Sequence, residues 1–238
     1  MMPTMNEIAQ HRQAVLARLQ AACAAAGREP GAVRLLAVSK TFDADAVHQA
    51  WQSGQREFGE NYIQEGVDKI ARLRELAPDG GLVWHCIGPV QSNKTRLVAE
   101  HFDWLHTVDR LKIAQRLNEQ RPAHLPPLNV CLQVNIDGGD TKSGVAPHDA
   151  LALAQALLEL PRLRLRGLMT IPDPVNNMVA VHSHARVLFE DLQRALALPD
   201  FDTLSMGMSG DMDAAVQAGS TMVRVGSAIF GTRPTKTV

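Results

Sequence analysis

The stretch RLLAVSKTF, Arg34 to Phe42, carries an apolar run from Leu35 to Val38 and then delivers a lysine. A lysine at the end of a buried strand is expensive unless something there uses the amine. Period two puts Leu36, Val38 and Lys40 on one face and Leu35, Ala37 and Ser39 on the other. From its position alone Lys40 has three readings: it snorkels to solvent, it pairs with a carboxylate such as Glu60, or it meets an aldehyde as a Schiff-base lysine. A second cation stands far along the chain. Arg224 lies between Val223 and Val225 and therefore points opposite to both, so it needs either a structural ion pair or a ligand. Two small-residue loops accompany it. SMGMSGDMDAA (Ser205 to Ala215) and the Gly226–Ser227 turn of VRVGSAIFG offer backbone N–H groups, hydroxyls and helix starts. Such loops suit an anion as well as ordinary turn and cap chemistry.

These residues need elements to hold them. Ile8, Val15, Leu16, Leu19 and Cys23 recur at helical spacing between Asn6 and Ala26, with an exit at Gly27, Pro30 and Gly31. Short apolar strands then alternate with helices. The strands are predicted over Arg34–Ser39, Glu57–Gly59, Val83–Ile87, Trp104–Val108, Asn129–Asn135, Leu165–Thr170, Thr203–Met206 and Met222–Val225. Helix starts are predicted after Asp43, Ser92 and Asp109, from Asn61, Pro147 and Asn176, and at Asp211, mostly residue types that cap the first N–H groups. Eight strands with helical crossovers mean a parallel sheet. No GxGxxG fingerprint marks an open dinucleotide-binding sheet, so the fold expected is a closed (β/α)8 TIM-type barrel with an extra N-terminal helix. The chain reads as a single domain over residues 1–238, with Arg121–Asn129 a Pro-rich connection inside it.

In such barrels the ligand sits at the C-terminal ends of the strands, and phosphate sites often follow strands 7 and 8. The first and eighth strands adjoin when the barrel closes. An amine at one and an anion cradle at the other would be bridged by an aldehyde that also carries a phosphate. Pyridoxal 5'-phosphate (PLP) is such a molecule, and its sites require an Arg or Asp at the ring nitrogen.

Composition narrows the partners. With 45% apolar residues among 238 the chain can bury a large core, and a net charge of -1 supplies no basic field for nucleic acid or an acidic membrane. The N-terminus is polar and no apolar run reaches membrane-spanning length, so a soluble cytoplasmic protein is expected. Cys23, Cys86 and Cys131 share no motif spacing and read as reduced thiols.

LLAVSKT, FGENYIQE, WHCIGPVQSNK, the VNI…KSG segment, GLMTIP and SMGMSGDMDAAVQAGSTMVRVGSAIFG resemble, in this order, the YggS/PROSC family of PLP homeostasis proteins. The resemblance spans about Leu35 to Arg233 and implies a fold like the N-terminal barrel of alanine racemase. It implies a PLP Schiff base on Lys40, phosphate contacts from Ser209, Gly226 and Ser227 with Gly207 and Met208 nearby, and Arg224 facing the pyridine nitrogen. Asn61, His85 and Met169 match family positions lining the pocket. The chain departs from the family where DGGDT puts Gly139 or Asp140 in place of a usual glutamate, and its tail PTKTV matches nothing.

A permanently charged arginine donates to the ring nitrogen and discourages its protonation, which weakens the ring as an electron sink. Racemases on this barrel add a second base, a tyrosine from a separate β domain of a partner subunit, whereas the one tyrosine here, Tyr62, follows the second strand. Holding and delivering PLP, with apo PLP-dependent enzymes as recipients and a monomeric state, is therefore the expected role. A low-activity amino-acid racemase is the rival, and a Schiff-base aldolase without PLP explains Arg224 poorly. Four features are set aside. His182 and His184 read as surface residues, Asp211 and Asp213 as helix first-turn acids, Lys142 as solvated, and LALAQALLEL as a barrel-packing helix.

Overall fold

The computed structural model describes residues 5–78, 80–139 and 143–232. Helix α1 (Met5–Ala25) precedes eight strands: β1 (Arg34–Val38), β2 (Glu57–Glu60), β3 (Val83–Cys86), β4 (Trp104–Val108), β5 (Leu128–Gln133), β6 (Leu163–Met169), β7 (Thr203–Ser205) and β8 (Met222–Val225). Between and after them come α2 (Ala44–Gln52), α3 (Ile63–Leu76), α4 (Thr95–His101), α5 (Leu111–Gln120), α6 (Ala150–Leu158), α7 (Met178–Leu196), α8 (Met212–Gln217) and α9 (Ser227–Phe230). The strands close in chain order into a barrel, every pair parallel, with Leu36 of β1 opposite Arg224 of β8. The expected architecture is therefore the observed one. The N-terminal helix packs outside the barrel on α2, α8 and α9, burying Ile8, Val15, Leu19 and Cys23.

Period two sorts the barrel's side chains. Leu35, Ala37, Phe58, Trp84, Leu105, Val130, Leu168, Leu204 and Val223 join the large apolar cluster under the helices. The alternate residues face inward, in two small clusters: Leu36, Val38, Ile87 and Met222, and Trp104, Cys131 and Met169. Barrels of this type fill that space mainly with branched apolar residues. Here His85, His106, Ser205 and Arg224, all buried, share it.

Local starts differ from expectation where side chains find other partners. Asp43 does cap α2, its Oδ1 accepting from Ala46 N at 2.9 Å. Asn61, Ser92 and Asp109 cap nothing: α3, α4 and α5 begin without a side-chain cap. Asn61 is half-buried at the barrel mouth, its Oδ1 buried and unpartnered among the described residues, the Ser92 carbonyl accepts from Thr95, and Asp109 accepts from Arg110. Asn177, not Asn176, caps α7 through Ala180 N. Strand β6 starts at Leu163, two residues early, because Leu163 and Leu165 are buried while Arg164 and Arg166 alternate outward. The surface reading of His182 is overturned as well. It is fully buried and its Nε2 lies 2.9 Å from Asp211, whereas His184 is exposed. Asp140, Lys142 and the tail from Arg233 lie outside the described residues.

All three cysteines are buried free thiols. Burial pushes the Cys86 and Cys131 thiols up to about 12, which leaves both inert at neutral pH. Among the described residues, no helix is long and apolar enough to cross a membrane, and no cluster of His, Cys, Asp or Glu suits a metal ion.

Candidate functional site

At the C-terminal end of β1 the chain leaves the barrel through Ser39, Lys40 and Thr41. Ser39 N donates to Gly59 O at 3.0 Å and Ser39 Oγ to Glu60 Oε1 at 2.6 Å. Thr41 has φ +70°, a left-handed conformation that a β-branched residue adopts only under constraint. The constraint comes from α3. Thr41 N donates to Glu65 Oε1 at 2.6 Å, and Lys69 Nζ reaches Ser39 O, Glu60 Oε1 and Glu65 Oε1 at 2.7, 2.8 and 2.7 Å. Burial pushes the Glu60 carboxyl up, with Lys69 and Ser39 pulling it back. Sequence reasoning passed over this cluster; the i,i+4 spacing of Glu65 and Lys69 was its one visible sign.

On the other side of the barrel mouth, β7 and β8 end in the two small-residue loops. Gly207 sits at φ +91°, and a Cβ there would come within 2.4 Å of Ala215 Cβ, so only glycine makes this turn. Asp211 then clasps the loop. Its Oδ1 accepts from Met208 N at 2.7 Å while Oδ2 lies 2.9 Å from His182 Nε2. The His182 contact and the Met208 N–H hold the Asp211 carboxyl below its ordinary range, against its burial. Gly226 follows β8 so near β1 that a Cβ would sit 3.1 Å from Val38 O.

Arg224 reaches inward between these loops. Its Nη1 donates to Ser205 O at 2.7 Å and Ser205 Oγ at 2.8 Å, and Nη2 to Thr170 O at 2.8 Å. Burial lowers its pKa to about 10, which still keeps the guanidinium charged at neutral pH.

A cavity of about 380 Å³ opens between the two sides. Seven of the ten expected residues line it: Lys40, Asn61, Met208, Ser209, Arg224, Gly226 and Ser227. Val38, Phe42, Ile87, Ile171 and Gly210 complete the wall, and the sequence reading had assigned none of them to the site. Gly207 is buried one residue before Met208 and shapes the loop. His85 and Met169 do not reach the cavity. Met169 packs with Trp104 and Cys131, and His85 stacks on Trp104 at 5.2 Å and bonds His106 at 2.9 Å, all inside the barrel. Position near a strand end misled here, because each side chain points inward at a level below the mouth.

The sequence matches the family described as alanine racemase, N-terminal domain, over residues 11–234. It is 56% identical over 232 residues to the pyridoxal phosphate homeostasis protein of Escherichia coli K12, covering 96% of this chain and 98% of that protein. The chain belongs to the pyridoxal phosphate homeostasis protein family. Among solved structures, PipY of Synechococcus elongatus with PLP bound is 36% identical, with TM-score 0.81 over 94% of this chain and 100% of that one. Alanine racemase from Corynebacterium glutamicum shares the fold alone, at 17% identity and TM-score 0.67, over 98% of this chain and 62% of that one. The chain's departure from the family at Gly139 falls in a turn held by the Asn135 side chain, whose Nδ2 donates to Gly139 O at 2.8 Å and whose Oδ1 accepts from Gly138 N at 3.1 Å.

The cavity's donor set suits a phosphorylated aldehyde. An amine lines one side and a guanidinium the floor. The two loops present hydroxyls and glycine backbone, and Asn61 Oδ1 is buried with no protein partner.

Proposed function

We propose that this protein binds pyridoxal 5'-phosphate reversibly and serves its homeostasis, buffering a reactive aldehyde and handing it to apo enzymes in the cytoplasm. Lys40 supplies the amine for the Schiff base. Ser209, Gly226 and Ser227 hold the phosphate, with Gly207 and Met208 shaping that loop, and Arg224 donates to the ring nitrogen. Asn61, with its open acceptor, reads as a further contact to the ring substituents. The observation that carries the reading is that Lys40, Arg224 and both small-residue loops line a single cavity. PLP, when bound, supplies an electron sink; Arg224, charged at neutral pH, keeps the ring nitrogen a hydrogen-bond acceptor and so limits that sink. Apart from those two cations the wall is apolar, amide, hydroxyl or glycine, which favours holding over turnover. The reading takes the protein as a monomer.

The test is the visible spectrum of the purified protein before and after borohydride, followed by peptide mapping. A yellow band that borohydride locks onto Lys40 is expected, and Lys40→Ala should lose it while keeping weak phosphate-anchored binding. A colourless protein that PLP cannot reconstitute would overturn the reading. Hydrogen exchange at the α-carbon of an amino acid would replace the carrier with a racemase.

A further inference from the structure

Arg224 poses a problem that the cavity does not solve. It is buried and charged, yet its hydrogen bonds go to two carbonyls and one hydroxyl, with no carboxylate in ion-pair range among the described residues. The Ser205 hydroxyl continues into the barrel. Its Oγ lies 3.0 Å from His106 Nδ1, His106 Nε2 lies 2.9 Å from His85 Nδ1, and His85 Nε2 lies 3.4 Å from Glu57 Oε2. Glu57 opens β2 at the opposite end of the barrel, where Arg34 Nη1 also approaches it at 3.6 Å.

The two ends of this chain set its direction, a guanidinium that only donates and a carboxylate that only accepts. Arginine has no acceptor, so Ser205 Oγ accepts from Arg224. The Glu57 carboxylate favours the His85 hydrogen on Nε2, which leaves His85 Nδ1 to accept from His106 and His106 Nδ1 to accept from Ser205. Burial holds both histidines in the neutral form. A neutral imidazole that accepts at Nδ1 carries its hydrogen on Nε2, so His106 donates to His85 Nδ1. His85 then carries its hydrogen on Nε2, facing the Glu57 carboxylate at 3.4 Å, an electrostatic contact in which neither atom makes a hydrogen bond. Every dipole then points the same way, from the cation at the site to the carboxylate at the far end, and such chains polarise one another.

We propose that Ser205, His106 and His85 form a one-way hydrogen-bond relay, oriented by the Glu57 carboxylate at its far end, that holds the Arg224 guanidinium in place as a donor toward the ligand in the cavity. They are positioning residues, since none of the four lines the cavity. This inference rests on the PLP reading above and adds that the ring-nitrogen contact is set from inside the barrel. It also gives His85 a role that sequence position alone misplaced.

The experiment compares binding of PLP with binding of its analogue carrying C–H in place of the ring nitrogen. Wild-type protein, Ser205→Ala and His106→Phe are compared, each also melted without ligand. Ser205→Ala should weaken PLP binding about tenfold and leave the analogue within about twofold of wild type. His106→Phe should give the same pattern with a smaller ratio, and Ser205→Thr, which keeps the hydroxyl, should restore PLP binding. Equal losses for both ligands, or no loss for PLP in a variant that melts as a folded protein, would overturn the relay. If Ser205→Ala fails to fold, the ratio for His106→Phe decides alone. Wild-type protein that takes up neither ligand would overturn the PLP reading itself, a result distinct from either pattern.

Discussion

Lys69, behind the end of β1, meets Glu60 at 2.8 Å and Glu65 at 2.7 Å, whereas among the described residues Arg224 on β8 bonds only the Thr170 and Ser205 carbonyls and the Ser205 hydroxyl. Both cations are buried, so both needed settlement. Carboxylates in contact neutralise the lysine on the spot and leave little field beyond it. Their use is local, holding the left-handed Thr41 that follows Lys40. Neutral oxygens leave the arginine's charge without a carboxylate in contact, Asp211 acting on it only at a distance, and an acceptor on a ligand in the cavity completes it. One side of the mouth is built for rigidity and the other for recognition.

The sharpest way to break that contrast is to remove each cation in turn. Lys69→Met strands Glu60 and Glu65, and losing one partner of a buried pair typically costs about 3–5 kcal/mol. The melting temperature should fall by roughly 10 °C, and adding Glu60→Gln should return part of it. A double variant no more stable than the single one would mean the cluster is not a charge pair in its effect. Arg224→Met should instead cost less in the melting of ligand-free protein than Lys69→Met does, because no carboxylate is stranded. Its loss should show in PLP affinity, which should drop at least about tenfold. Equal melting losses from the two variants would erase the distinction between the two sides.

Titration sharpens the comparison with opposite signs. Burial raises Glu60, so the folded state holds that proton more tightly than the unfolded chain, and its contribution to stability falls as pH rises above its ordinary 4.5. Asp211, in the loop after β7, is lowered, so its contribution is present above its ordinary 3.8 and is lost as pH falls through the folded value. Glu60→Gln should therefore raise stability at pH 7 relative to pH 5, and Asp211→Asn should remove part of the acid-side loss. Denaturant melts at pH 3, 5 and 7 read both.

The barrel was legible in the sequence because eight short apolar runs, helices between them, fix its topology whatever their exact ends. Lys40 and Arg224 were legible because a charge in a buried strand contradicts its surroundings. What escaped was polar pairing across distance. Lys69 with Glu60, His182 with Asp211, and His85 with His106 each join residues of separate elements, and no spacing along the chain announces which inward-facing group will meet which. His182 looked like a surface residue since its partner lies 29 positions away. Asn61 looked like a cap because asparagine before a helix usually is one; its place at the mouth is set by the turn between β2 and α3.

Asp211 gives the smallest and most selective effect. It touches no ligand by this reading; it holds Met208 N and is itself held by His182, so it sets the curvature of the loop that carries Ser209. Asp211→Asn keeps the shape and one acceptor while discarding the charge that anchors both contacts. Affinity for PLP should fall about threefold to fivefold, within what one charge-assisted hydrogen bond contributes. Affinity for pyridoxal, which has the aldehyde and ring but no phosphate, should change far less, because Asp211 contacts the loop through Met208 N and acts on Arg224 only through its charge. Titrating both ligands by absorbance separates the outcomes. A loss shared by pyridoxal would place Asp211 in support of the whole mouth, and the division into a rigid amine side and a recognising anion side would then have to be redrawn.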